Sequence, residues 1–95
     1  YLVAVYGTTG MKTGIQNYTL KAIKEVKKIT KGKIPVGVGF GVSTPEDVKK
    51  YIKAGADAVI VGSAFLKLIE KTPQNKRESS IARFTKSLKR QTIQT

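Results

Sequence analysis

Three short clusters carry the residues of this chain best suited to chemistry: Gly7-Thr8-Thr9-Gly10, Gly39-Phe40-Gly41-Val42-Ser43 and Gly62-Ser63. Each joins a hydroxyl donor to glycine, which permits positive φ and lets a ligand approach the backbone with no Cβ in the way. That pairing suits an anion, above all a phosphate at a helix start, where N–H groups are unpaired and the helix dipole is positive. Proton transfer is poorly served. The chain has no histidine and no cysteine, which removes the commonest general base and metal ligand as well as thiolate and disulfide chemistry. Glu25, Glu46, Asp47, Glu70 and Glu78 fall in helical stretches, and Asp57 precedes a strand on the side away from the clusters. No paired carboxylates are poised for acid–base work, so either the chain only binds or its catalytic residues lie outside it.

The elements that hold these clusters follow from hydrophobic periodicity. The central stretch, Ile34 to Ala54, reads as strand, glycine turn and helix. Its run Ile34 to Val38 has no charge on either face, as expected of a strand buried on both sides. Gly37, Gly39 and Gly41 follow at alternate positions. Ser43 or Thr44 can cap the next helix, with Pro45 at its first position and Glu46 or Asp47 completing a capping box. Val48, Tyr51 and Ile52 share a helical face, and Gly55 is a stop signal. Strand, turn and helix N-terminus together make one candidate anion site.

Tyr1 to Tyr6 predicts a further strand and Gly7 to Gly14 a polar loop. Tyr18 to Thr30 predicts a helix with Thr19, Ala22, Ile23, Val26 and Ile29 on its apolar face. Asp57 to Val61 is a third strand. A short helix opening at Gly62-Ser63-Ala64 carries Phe65, Leu66 and Ile69; Thr72 to Asn75 is a loop. A last helix spans about Glu78 to Arg90, with Ile81, Phe84 and Leu88 at helical spacing.

This alternation predicts an α/β fold with a parallel sheet covered by helices. Three parallel strands alone leave two bare edges, which a closed (β/α)8 TIM barrel of about 250 residues removes. All three clusters would then lie at the carboxyl end of the sheet, where such barrels keep their sites. Gly62 and Ser63 match the phosphate element after the last strand, at the mouth of a short extra helix. Glycines that merely make tight turns are the plainer account, but three clusters converging at one end favour phosphate. The chain begins inside a strand and without methionine. The expectation is a single partial domain over residues 1–95, the C-terminal three units of a barrel.

The formal net charge is +12, from 18 basic and 6 acidic residues. A basic nucleic-acid-binding module is therefore one alternative. Against it, 15 of the 18 basic residues are lysine, the poorer residue for bidentate recognition, and no RNP-like aromatic motif or zinc finger is present. Solvated outer helix faces are the preferred account of the lysines. Gly39-Phe40-Gly41 begins a dinucleotide fingerprint, but Thr44 stands where its third glycine belongs and no acidic residue ends the next strand. The longest uncharged stretches fall well short of the about 20 residues needed to cross a membrane.

The stretch GFGVSTPEDVKKYIKAGADAVIVGSAFLKLI closely resembles the tryptophan synthase alpha chain family, and YLVAVYGTTG is similar to its sixth strand and the mobile loop that follows. The likeness covers about Tyr1 to Ile69, with a looser helical tail. It departs at Ala4 and Val5, where many members carry serine and arginine. The resemblance implies strands six to eight of a barrel lyase that cleaves indole-3-glycerol phosphate to indole and glyceraldehyde 3-phosphate. Gly10, Gly41, Gly62 and Ser63 would match its phosphate-binding positions. Tyr1 and Phe40 would line the substrate pocket, and Thr9 would match a loop residue that orients a catalytic aspartate. The family's catalytic glutamate and aspartate lie in earlier strands. No cofactor is implied for this chain; pyridoxal phosphate belongs to a partner beta chain in an alpha2-beta2 tetramer. A cytoplasmic or plastid-stromal enzyme is implied. Another phosphate-binding TIM-barrel enzyme is the remaining alternative.

Overall fold

A computed structural model describes residues 1–3, 17–39 and 42–93. In chain order the elements are β1 (Leu2–Val3), α1 (Asn17–Ile29), β2 (Gly37–Gly39), α2 (Pro45–Ala54), β3 (Ala58–Ile60), α3 (Ser63–Lys71), a 3-10 turn at Gln74–Lys76 and α4 (Arg77–Arg90). The strands form one parallel sheet in the order β1-β2-β3. Leu2 lies opposite Val38, and Val38 opposite Val59; at the carboxyl edge Val3, Gly39 and Ile60 are level. The expected alternation of strands and helices is present. Of the expected first strand only Leu2 and Val3 are seen; its remainder and the Gly7–Gly14 loop lie outside the described residues.

Helix α2 forms because its two ends are fixed locally. Thr44, in extended conformation, accepts from the Asp47 N–H, and Asp47 reaches back to the Thr44 N–H, closing a capping box around Pro45. Its C-terminus stops at Gly55, whose φ of 118° is left-handed. There the Gly55 and Ala56 N–H groups bond the Ile52 and Tyr51 carbonyls. Between these caps Val48 and Tyr51 are buried and Ile52 packs against them. Helix α1 lies beside α2 and contributes Thr19, Ile23 and Val26 to the interior.

Two expectations need correction. Ile29 is 74% exposed; the inward stripe of α1 passes from Val26 to Thr30, whose hydroxyl bonds the Val26 carbonyl at 2.8 Å. The central strand begins at Gly37 rather than Ile34, which is exposed. Just before it, Val36 engages Asp57: its N–H donates to the Asp57 carboxylate, and its carbonyl accepts from the Asp57 and Ala58 N–H groups. Among the described residues, helices cover one face of the sheet. Leu2, Val38 and Val59 meet the helix layer, with Val38 fully buried. Tyr1, Val3, Ala58 and Ile60 are exposed on the alternate positions. An uncharged strand needs cover on both faces but does not itself supply it, and among the described residues only helices on one side do so.

Helices α3 and α4 form a separate pair. No residue of α3 is buried among the described residues. The ring of Phe65 meets that of Phe84 edge to face at 5.0 Å, and Leu88 carries α4 into the core.

Candidate functional site

Because the strands are parallel and in register, the chain leaves Val3, Gly39 and Ile60 at one edge of the sheet. Two helix N-termini follow the described part of that edge, and they differ. At α2 the Asp47 carboxylate takes the Ser43 N–H at 3.0 Å, the Thr44 N–H at 3.2 Å and the Ser43 hydroxyl at 3.3 Å. That terminus pairs its Ser43, Thr44 and Asp47 N–H groups with its own side chains and carries its own negative charge. At α3 the N-cap is Gly62, which has no side chain to offer. Its carbonyl accepts from the Phe65 and Leu66 N–H groups, and the Ser63 and Ala64 N–H groups have no acceptor among the described residues. A Cβ on Gly62 would meet nothing within 4 Å among the described residues, and its φ of −126° is open to other residues. Packing among the described residues does not demand glycine there.

The strand glycines have a different explanation from the expected positive φ, which the described residues show only at Lys31, Gly32 and Gly55. A Cβ on Gly39 would lie 2.6 Å from the Tyr1 hydroxyl oxygen and 3.1 Å from the Ile60 Cβ. The Tyr1 ring thus lies in the space that Gly39 leaves free, on the open face of the sheet. This brings one expected pocket residue, Tyr1, toward the carboxyl edge. Thr9, Gly10, Phe40 and Gly41 lie outside the described residues. The Tyr1–Gly39 fit escaped sequence reasoning, as did a side-chain bond from Arg77 to the end of α3. The only signal for the second was a cation in the first turn of a helix, where it opposes the dipole.

The opposite end of the sheet holds the one ion pair among the described residues, Lys27 Nζ to Asp57 Oδ2 at 2.8 Å. The Lys27 ammonium and the Val36 N–H hold the Asp57 carboxyl below its ordinary value. Its role is to tie α1 and the start of β2 to β3. A groove of about 470 Å³ between β3 and α4 has Val59, Val61, Phe65 and Leu88 among its walls, but neither Gly62 nor Ser63. Asp57, Thr85, Lys89 and Thr92 complete its polar lining. No group of three or more acidic side chains that could hold a metal gathers among the described residues.

Parallel strands alternating with helices define an α/β protein. More particularly, the chain belongs to the tryptophan synthase alpha chain family, whose model matches residues 1–94. It is 51% identical over 69 residues to the tryptophan synthase alpha chain of Methanothermobacter thermautotrophicus, covering 73% of this chain and 25% of that one. To the corresponding chain of Cyanothece sp. it is 43% identical over 90 residues, 94% of this chain and 33% of the relative. With that of Antithamnion sp. it shares 41% over 93 residues, 98% and 35%. The chain spans about a third of the length of the curated relatives it matches. No solved structure matches it.

Proposed function

We propose that this chain forms the last three β/α units of a TIM-barrel lyase, strands six to eight, in a single partial domain over residues 1–95. The enzyme cleaves indole-3-glycerol phosphate to indole and glyceraldehyde 3-phosphate in tryptophan biosynthesis. In that reaction the bond between indole C3 and the glycerol chain breaks as C3 gains a proton and the adjacent hydroxyl loses one. Acid and base come from carboxylates outside these residues. This part supplies the grip on the phosphate through Gly10, Gly41, Gly62 and Ser63. Tyr1 and Phe40 line the indole side, and Thr9 orients the catalytic aspartate. The product indole passes to a pyridoxal-phosphate beta chain in an alpha2-beta2 assembly, in the cytoplasm or plastid stroma; the alpha chain holds no cofactor.

The observation that carries this reading is the open α3 N-terminus, with space over Gly62 that no described side chain fills. A dianion there gains charge-assisted hydrogen bonds from the Ser63 and Ala64 N–H groups and from the Ser63 hydroxyl. A side chain at Gly62 displaces the phosphate, whereas Ser63→Ala removes one donor. One charged hydrogen bond is worth about 1.5–3 kcal/mol, or about ten- to a hundredfold in affinity. Gly62→Val and Ser63→Ala in the complete gene product should weaken indolepropanol phosphate, Gly62→Val the more, and leave free indole nearly unchanged. Equal weakening of both ligands would mean that the turn only supports the fold.

A further inference from the structure

We infer that Arg77 and Phe84, both on α4, are positioning residues that aim the open N-terminus of α3 at the phosphate. The inference rests on the phosphate reading of Gly62 and Ser63 above. Helix α3 has nine residues and, among those described, none is buried. It packs chiefly on α4, which holds it near both ends. At the front, Phe65 lies in the first turn, two positions after Ser63, and its ring meets Phe84 edge to face at 5.0 Å and 64°. At the back, the Arg77 Nε–H is shared between the Ile69 carbonyl at 3.1 Å and the Thr72 carbonyl at 3.0 Å.

The charge at Arg77 is oriented for α3 rather than for its own helix. As the first residue of α4 it sits at a positive dipole end, where a cation is unfavourable. Against the C-terminal end of α3 the same cation faces a negative end, adding a second donor to the Ile69 carbonyl, which also accepts from the Thr72 N–H, and reaching the Thr72 carbonyl of the cap. The hold reaches the core in steps: Leu88 is 6% exposed and fixes α4, α4 carries Phe84 and Arg77, and these fix the two ends of α3. A helix this short spans about 13 Å, so slack at either grip turns the Ser63 and Ala64 N–H groups off the anion. Loss of aim weakens the phosphate grip and leaves the indole side alone.

The test uses the complete gene product with Arg77→Ala, Arg77→Lys, Phe84→Ala and Phe84→Tyr, and Gly62→Val alongside. Arg77→Ala and Phe84→Ala should each raise KM for indole-3-glycerol phosphate and Kd for indolepropanol phosphate about three- to tenfold. kcat and free-indole affinity should hold. Phe84→Tyr, which keeps the ring, should restore affinity, and Arg77→Lys should recover part of it. A merely structural role would lower the active fraction, so that kcat falls at unchanged KM; that result overturns the inference. If Gly62→Val abolishes phosphate binding while the Arg77 and Phe84 variants bind normally, the inference fails and the phosphate reading stands. If Gly62→Val itself leaves phosphate binding intact, both fail.

Discussion

Gly39 and Gly62 are both glycines at the carboxyl edge, yet they have opposite reasons to lack a side chain. The Gly39 Cβ space belongs to Tyr1 and Ile60, whereas that over Gly62 meets no described atom within 4 Å. Gly39→Ala should therefore destabilise the complete gene product by about 1–3 kcal/mol through overpacking. Adding Tyr1→Ala should recover only part of the loss, because Ile60 still crowds the new methyl; a thermal-melt cycle of the single and double variants measures this. Gly62→Ala should leave the melting temperature nearly unchanged. Asp57 acts through charge rather than space. Lys27 and the Val36 N–H hold its carboxyl below the ordinary value, so the folded state gains from the ionised form. That gain is complete above the ordinary carboxylate range and is lost as pH falls through the lowered value. Melting temperatures of the native protein and Asp57→Asn should differ at neutral pH and converge in acid.

Among the elements, the contrast lies between a helix with a side-chain cap at its N-terminus and one without. The Asp47 carboxylate and the Thr44 hydroxyl occupy the donors of α2, and their removal is a matter of stability. Thr44→Ala should cost about 0.5–2 kcal/mol of stability, read from a melt, while leaving indolepropanol phosphate affinity unchanged. A large loss of phosphate affinity would place the anion at α2 after all. Helix α3 has the reverse character, with no side-chain cap and support from α4. Its exposed Leu66 and its lack of buried residues make α4 the element that sets its direction.

For the molecule as a whole, the open sheet face dominates. Tyr1, Val3 and Ile60 are 77%, 52% and 45% exposed, and β1 and β3 each pair with only one neighbour among the described residues. The 95-residue chain alone should therefore associate or bind a hydrophobic dye, and it should release no indole from indole-3-glycerol phosphate. A monodisperse monomer with a sharp melt, or indole release above a heat-treated control, would contradict these expectations. The sequence by itself determined the order of elements, the capping box at Thr44, the stop at Gly55 and the family motif. All are written in residues within a few positions of one another. Tertiary structure alone decided that Ile29 and Ile34 face out, that the described helices cover one sheet face, and that Gly39 accommodates Tyr1. It also decided that Asp47 pairs the Ser43 and Thr44 N–H groups before α2, while α3 has no side-chain cap and takes Arg77 at its other end. The reason is physical: the Val36–Asp57 bond joins residues 21 apart, and Tyr1 reaches Gly39 across a strand pair. Spacing along the chain sets local periodicity and caps, but which side chain fills a given space depends on the elements brought beside it.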